Sequence, residues 1–358
     1  QYIDNLQKKS NVAPFPDTTC VITIPVVFHV FHTQGNAAVT EAQINSAMAD
    51  LNLNWSGKNA DWNDVNSNFA AVKTYSKYRF VLAKKDPKGN PTNGIEYYYE
   101  QTGGWGKDFG MDDQIANVAW DNYKYFNIYI THDLYQSNVY NNSGVCWYPD
   151  VDMSNAGTAR MVYNHVYLGQ GGTSNNNLMF NREFTHETGH FLNLAHTFDG
   201  LSCIDDATHG DQVSDTPPTD QAGGVCPTDG ATNSACGNII NWENYMDYYT
   251  ECNKMFTMGQ ITRADAALLS PSRQSLYQYD NLVATGILDP ASTNACLTKM
   301  FSFSKTLLNE AVANNGSIEM PPVVINTIGG FRFAKTGQTL VAGSDYTLTN
   351  VPAGLLIV

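Results

Sequence analysis

The stretch from Phe184 to Phe198 constrains this chain more than any other, because it gathers His186, Glu187, His190 and His196 into fifteen residues. His186 and His190 are four apart, so on an α-helix both imidazoles share one face, a turn apart, and can grip one cation. Glu187 projects beside them, placed to hold a water without ligating the metal. Neutral imidazole suits Zn²⁺, which in catalytic sites takes three protein ligands and leaves a position open. His196 lies six residues past His190, and at about 3.6 residues per turn a continuing helix would carry it off the ligand face. The helix must therefore end between them, which calls for a residue of positive φ. Glycine is the commonest choice and asparagine the next best tolerated. Asn193 stands where that turn falls. The opposing reading is a surface helix with chance histidines. The apolar approach through Leu178, Met179, Phe180 and Phe184, and the third histidine, weigh against it.

Composition narrows the partners. The net charge is −14, from 20 basic and 34 acidic residues. Phosphate binding needs clustered Lys and Arg, so nucleic acid and anionic membrane are poor partners. No apolar run approaches a membrane span. The acidity suits solubility first and Ca²⁺ second. Gln1 at the start reads as a processed chain, its signal peptide and any pro-segment removed.

The upstream residues read as a strand over 21–32, a helix over 40–55 opened by a Thr40–Gln43 capping box, and strands near 78–84, 95–99, 126–131 and 160–167. A helix over 112–120, the histidine helix over 177–192 and a helix over 257–269 complete the pattern. The fold class is α+β. Residues 1–20 form an extension and 21–287 the main domain, divided near 193 into an upper half with a twisted sheet and an irregular lower half. Beyond residue 290, short β-type runs and Gly/Pro turns suggest a small β-sandwich-like module over 297–358, ending abruptly. A cleft is expected between the halves, with the strand near 160–167 as the sheet edge beside it.

The pattern His-Glu-x-x-His-x-x-Gly-x-x-His resembles the metzincin zinc metallopeptidases, with Asn193 in place of the glycine. Asn244-Tyr245-Met246-Asp247-Tyr248 resembles their methionine turn. Within that clan the chain is most similar to the pappalysin family, through residues 23–29, 196–198, 211–218 and 256–263, over about 20–285 in all. The resemblance implies a metzincin-type catalytic domain and a secreted, bacterial, monomeric zinc endopeptidase acting on proteins or peptides. His186, His190 and His196 would hold zinc, Glu187 would act as general base, Met246 would floor the site and Tyr248 would stabilise the oxyanion. It implies an Arg or Lys preference after the cleaved bond, set by Glu251, and structural calcium. The acidic run of Asp205, Asp206, Asp211 and Asp215, with Thr208 and the Val213 carbonyl, offers oxygens for it.

Seven cysteines occur, and spacing alone leaves three pairings open for the four between Cys203 and Cys252. The resemblance implies Cys203–Cys236 and Cys226–Cys252. Cys20, Cys146 and Cys296 then leave one pair and one free thiol. Cys20 as the remnant of an inhibitory segment is the less favoured reading. The rival class of function is an extracellular binding or adhesion protein with a vestigial site. Against it, every ligand and the base are present.

Overall fold

The computed structural model describes residues 21–32, 39–99, 112–135, 143–177, 179–204, 209–228, 232–249 and 251–289. The anticipated extension over 1–20 and module over 297–358 lie outside the described residues, with Cys20 and Cys296.

Strand β1, Ile22–Phe31, is apolar nearly throughout and buried on both faces, as a strand inside a parallel sheet must be. Helix α1, Glu41–Trp55, follows, then β2 (Lys73–Thr74), β3 (Tyr78–Leu82), β4 (Ile95–Tyr98), α2 (Asp112–Val118), β5 (Phe126–Thr131), β6 (Gly144–Cys146), α3 (Val151–Ala156), β7 (Met161–Asn164) and α4 (Met179–Phe191). Downstream come β8 (Ser234–Ala235), β9 (Asn238–Ile239), β10 (Phe256–Thr257), α5 (Met258–Leu268) and α6 (Tyr279–Ala284). The first half of β1 pairs in parallel with β3, and its second half with β4 on the same side. On the other side β1 pairs with β5 and β5 with β7, also in parallel. β6 closes the sheet, antiparallel to β7, giving the order β3-β1-β5-β7-β6. This is the mixed sheet with a backing and an active-site helix that the resemblance implies.

The edge differs from the sequence expectation. The strand read over 160–167 is β7, which lies inside the sheet with all four residues buried. It stops at Asn164, whose side-chain oxygen accepts from Val166 N at 3.2 Å and turns the chain into a short 3₁₀ segment, His165–Tyr167. Among the described residues the edge on this side is β6, whose three residues are too few to show a strand's alternation. The capping box on α1 is half made. Thr40 Oγ1 accepts from Gln43 N at 3.2 Å, but the Gln43 amide turns inward and donates to the carbonyls of His165 and Leu168, both at 2.9 Å.

α1 and α4 lie against one face of the sheet. Phe184 stacks on Phe28 at 6.2 Å and Phe191 on Phe126 at 3.7 Å. Burying each such side chain stabilises by roughly 1.5–3 kcal/mol. Those contacts fix the rotation of α4, and so decide which of its faces is left for the cleft.

Candidate active site

One stripe of α4 carries Glu183, His186, Glu187 and His190, spaced i, i+3, i+4 and i+7. Gly189 sits in the same helix because any Cβ there would collide with Met246 Sδ. After Phe191 the helix ends in a Schellman motif. Asn193 is at φ 66°, its N–H donates to the His190 carbonyl at 2.9 Å, and Leu194 N donates to the Gly189 carbonyl at 2.9 Å. The chain reverses there and brings His196 beneath the other two histidines.

The Nε2 atoms of His186, His190 and His196 are each 3.1 Å from the other two. His186 Nδ1 lies 2.7 Å from the Tyr245 carbonyl and His190 Nδ1 2.7 Å from the Leu194 carbonyl. A carbonyl only accepts, so both Nδ1 atoms carry the proton and both Nε2 atoms present lone pairs. Burial first, and then the neighbouring imidazoles, hold the His186 pKa well below its ordinary value and push His190 down to about 3. Burial also lowers His196. Three neutral imidazoles pointing lone pairs at one spot would repel one another; nitrogens about 2 Å from a shared cation present edges of this length. The donor set fits zinc, and among the described residues it is the one three-histidine cluster.

Glu187 is buried beside the histidines. Burial, with the Glu183 carboxyl adding to it, holds its pKa well above the usual carboxylate range, while the Cys146 N–H opposes. Gly144 on β6 lets the edge strand approach, since a Cβ would meet the Tyr163 ring and lie 3.0 Å from Glu187 Cγ. Tyr248 is half exposed, with its Oη 3.2 Å from His196 Nε2. Partial burial and the carboxyls of Glu187 and Glu183 push its phenol up to about 12, so it stays a neutral donor.

The methionine turn is held from two sides. Asn244 and Gln260 exchange two amide hydrogen bonds of 2.9 Å, tying the turn to α5. Thr197 N donates to the Met246 carbonyl at 3.2 Å, and Thr197 Oγ1 to Asp247 at 2.6 Å. Met246 itself is fully buried. Two arginines draw the end of α4 down, Arg263 Nε to the Asn193 carbonyl at 2.7 Å and Arg273 Nε to the Phe191 carbonyl at 3.1 Å. None of these ties shows locally in sequence, because the partners are 16 to 82 residues apart. Glu183 could have been read from its spacing to Glu187 alone.

Cys203–Cys236 and Cys226–Cys252 are bonded. The bridges interleave, Cys226 lying within the loop closed by the first and Cys236 within that closed by the second. Cys146 is a buried free thiol. Glu251 is exposed, and its carbonyl accepts from Arg182, which also pairs with Asp61 at 2.6 Å. In the acidic run, Asp211 accepts from Val213 N and Thr216 Oγ1, and Asp215 caps α5 through Gly259 N at 2.8 Å and Thr257 Oγ1 at 2.6 Å. Asp205, Asp206 and Thr208 lie outside the described residues.

Residues 110–269 match the family model Peptidase_M43, described as pregnancy-associated plasma protein-A. An extracellular metalloprotease of Neurospora crassa is 35% identical over 251 residues, covering 68% of this chain and 73% of that protein. One from Arthroderma gypseum is 25% identical over 265 residues, covering 72% of this chain and 75% of its own length. Mature mirolysin of Tannerella forsythia, solved with a cleaved peptide, superposes with a TM-score of 0.62 at 28% identity, over 76% of this chain and 99% of that one. The chain belongs to the pappalysin family of metallopeptidases and is a metalloendopeptidase.

Proposed function

We propose that the protein is a secreted, zinc-dependent endopeptidase in which Glu187 is the general base and Tyr248 the oxyanion donor. The observation that carries this is the mutual 3.1 Å approach of three neutral imidazole Nε2 atoms with a buried carboxyl alongside. His186, His190 and His196 would hold the metal. Zinc, when bound, supplies a Lewis acid that polarises the scissile carbonyl and eases ionisation of water.

The chain's own groups do the rest. The Tyr245 and Leu194 carbonyls fix the tautomers and ring planes of His186 and His190. Glu187 takes the proton of the attacking water and passes it to the leaving amine. The charge of a zinc ion held by the histidines would favour the ionised form of Glu187, reversing the effect of burial. The Tyr248 phenol donates to the oxyanion as it forms. The peptide lies along β6, the edge strand beside Glu187. A cleaved peptide in mirolysin and the extracellular naming of the relatives support substrate class and secretion.

The finer points of the reading are an Arg or Lys preference after the cleaved bond, with Glu251 as its proposed selector, and calcium in the acidic loop. Asp211, buried and pushed up to about 7 by that burial, supports the second, because a carboxyl in such a place gains most from a cation. The deciding experiment is casein hydrolysis by zinc-loaded protein, with and without a zinc chelator, beside Glu187→Ala. Equal rates for the variant and the parent would refute the reading. For calcium, an unchanged melting temperature after calcium removal with zinc retained would count against it.

A further inference from the structure

The side chain of Tyr248 stands half exposed beside the histidines. Its ring meets those of His196 at 4.9 Å and Phe198 at 4.7 Å, both edge-on. A tyrosine has few side-chain torsions, so its Oη falls where the main chain puts its Cβ. Two groups grip that main chain. Asp247, fully buried, gathers donors at its carboxyl: Thr197 Oγ1 at 2.6 Å, Tyr248 N at 2.7 Å and the N–H of Gly223. Gly223 itself presses on Tyr248. A Cβ at Gly223 would lie 2.7 Å from the Tyr248 Cβ and 2.7 Å from its carbonyl oxygen, where ordinary contact starts at 3.4 Å. Gly223 also sits at φ 67°, which strains any other residue. Its neighbour Gly224 is as close to the ring of the buried Tyr249, with a Cβ 2.7 Å from that ring. Both glycines lie in a surface segment outside any helix or strand. The bridge Cys226–Cys252 ties this segment to the one that carries Tyr248, three residues past Gly223 and four past Tyr248.

We infer that Gly223 is a positioning residue for the oxyanion donor: with the Cys226–Cys252 bridge behind it, it forms a clasp on the main chain of Tyr248 that sets where the phenol stands. The inference rests on the reading of Tyr248 as that donor. A donor aimed at a developing charge works only while it is held in place beforehand. A displacement of about 1 Å can cost about a hundredfold in rate. The atoms that a side chain at Gly223 would meet belong to the Tyr248 backbone and its Cβ, which cannot rotate away. The push therefore passes to the phenol. The imidazoles escape it, because the Tyr245 and Leu194 carbonyls anchor His186 and His190 separately. The clasp thus acts on the chemical step and not on the metal.

The test measures kcat, KM and zinc affinity for Gly223→Ala, Tyr248→Phe and the two combined, beside the parent. Gly237→Ala is the control, because Gly237 is also at positive φ (77°) in the lower half but faces open space. Gly223→Ala should lower kcat about tenfold to a hundredfold, with KM and zinc affinity within about threefold of the parent. With Tyr248→Phe already in place, it should lower kcat by less than about twofold further. Gly237→Ala should stay within about twofold of the parent. A second arm places a fluorinated tyrosine at residue 248 alone. Its fluorine resonance, set by the rings of His196 and Phe198, should move in Gly223→Ala and stay in Gly237→Ala. Should Gly223→Ala fail to fold, Cys226→Ser with Cys252→Ser opens the clasp without adding bulk and carries the same comparisons. An unchanged kcat in Gly223→Ala, an equal loss with and without Tyr248→Phe, a loss explained by zinc release, or an unmoved resonance would each overturn the inference. If Tyr248→Phe keeps the parent's kcat, the oxyanion reading of Tyr248 fails instead, and the fluorine arm still decides whether Gly223 sets its position.

Discussion

Arg263 donates through Nε to the carbonyl of Asn193 at 2.7 Å, so α5 of the lower half holds the turn that ends the active-site helix of the upper half. The left-handed residue and its arginine act together. The first lets the chain reverse, and the second fixes where the reversed chain goes. His196 is three residues past that turn and inherits its position from both.

Asn193→Gly should keep zinc content and activity, because glycine adopts φ 66° without strain. Asn193→Val should lose about 1–2 kcal/mol or more from backbone strain and bind zinc less tightly. Denaturant unfolding with a zinc titration checks both. Weaker zinc binding by the glycine variant would show that the asparagine side chain, not its backbone, matters.

Arg263→Met should cost roughly 1.5–3 kcal/mol, the worth of a hydrogen bond to a charged group, and the loss should fall on zinc affinity as well as on global unfolding. A variant that melts early yet binds zinc like the parent would separate α5 from the site.

Gly189→Ala should destabilise by about 1–3 kcal/mol through overpacking against Met246. Met246→Leu alone should cost less than about 1.5 kcal/mol. A double-mutant cycle with Met246→Ala should show coupling, because the smaller side chain makes room for the added methyl. Additive effects would mean that the contact is not what excludes a side chain at residue 189.

The histidine helix, its break and the methionine turn were legible because their chemistry depends on short spacings. The edge strand was not, since β6 has three residues and its role comes from position beside β7. The ties that hold the site were not legible either. Asn244–Gln260, Arg263–Asn193 and Arg273–Phe191 each join segments that sequence gives no reason to connect. Glu183 lies between these cases. Its spacing was in plain view, but its missing partner shows only when burial and hydrogen bonds are known.

Stability should fall as pH rises from about 4 to about 7 in calcium-free protein, through Asp211. Burial raises its folded pKa to about 7, against an ordinary value of 3.8. Between those values the folded state holds a proton that the unfolded state has released, so raising the pH favours unfolding. Asp211→Asn should flatten that slope, and calcium should do the same if it binds there. Melting temperature against pH, for both proteins with and without calcium, checks this. An equal slope in Asp211→Asn would assign it to another group.

The interleaving of the two bridges has a consequence for a peptidase exposed to its own kind. A single cut anywhere between Cys203 and Cys252 falls inside the loop closed by Cys203–Cys236, by Cys226–Cys252 or by both. The fragments stay joined, with Met246 and Tyr248 still tethered to the chain that carries the histidines. Self-digestion between Cys203 and Cys252 would leave a nicked protein that travels as one species until a reductant parts it.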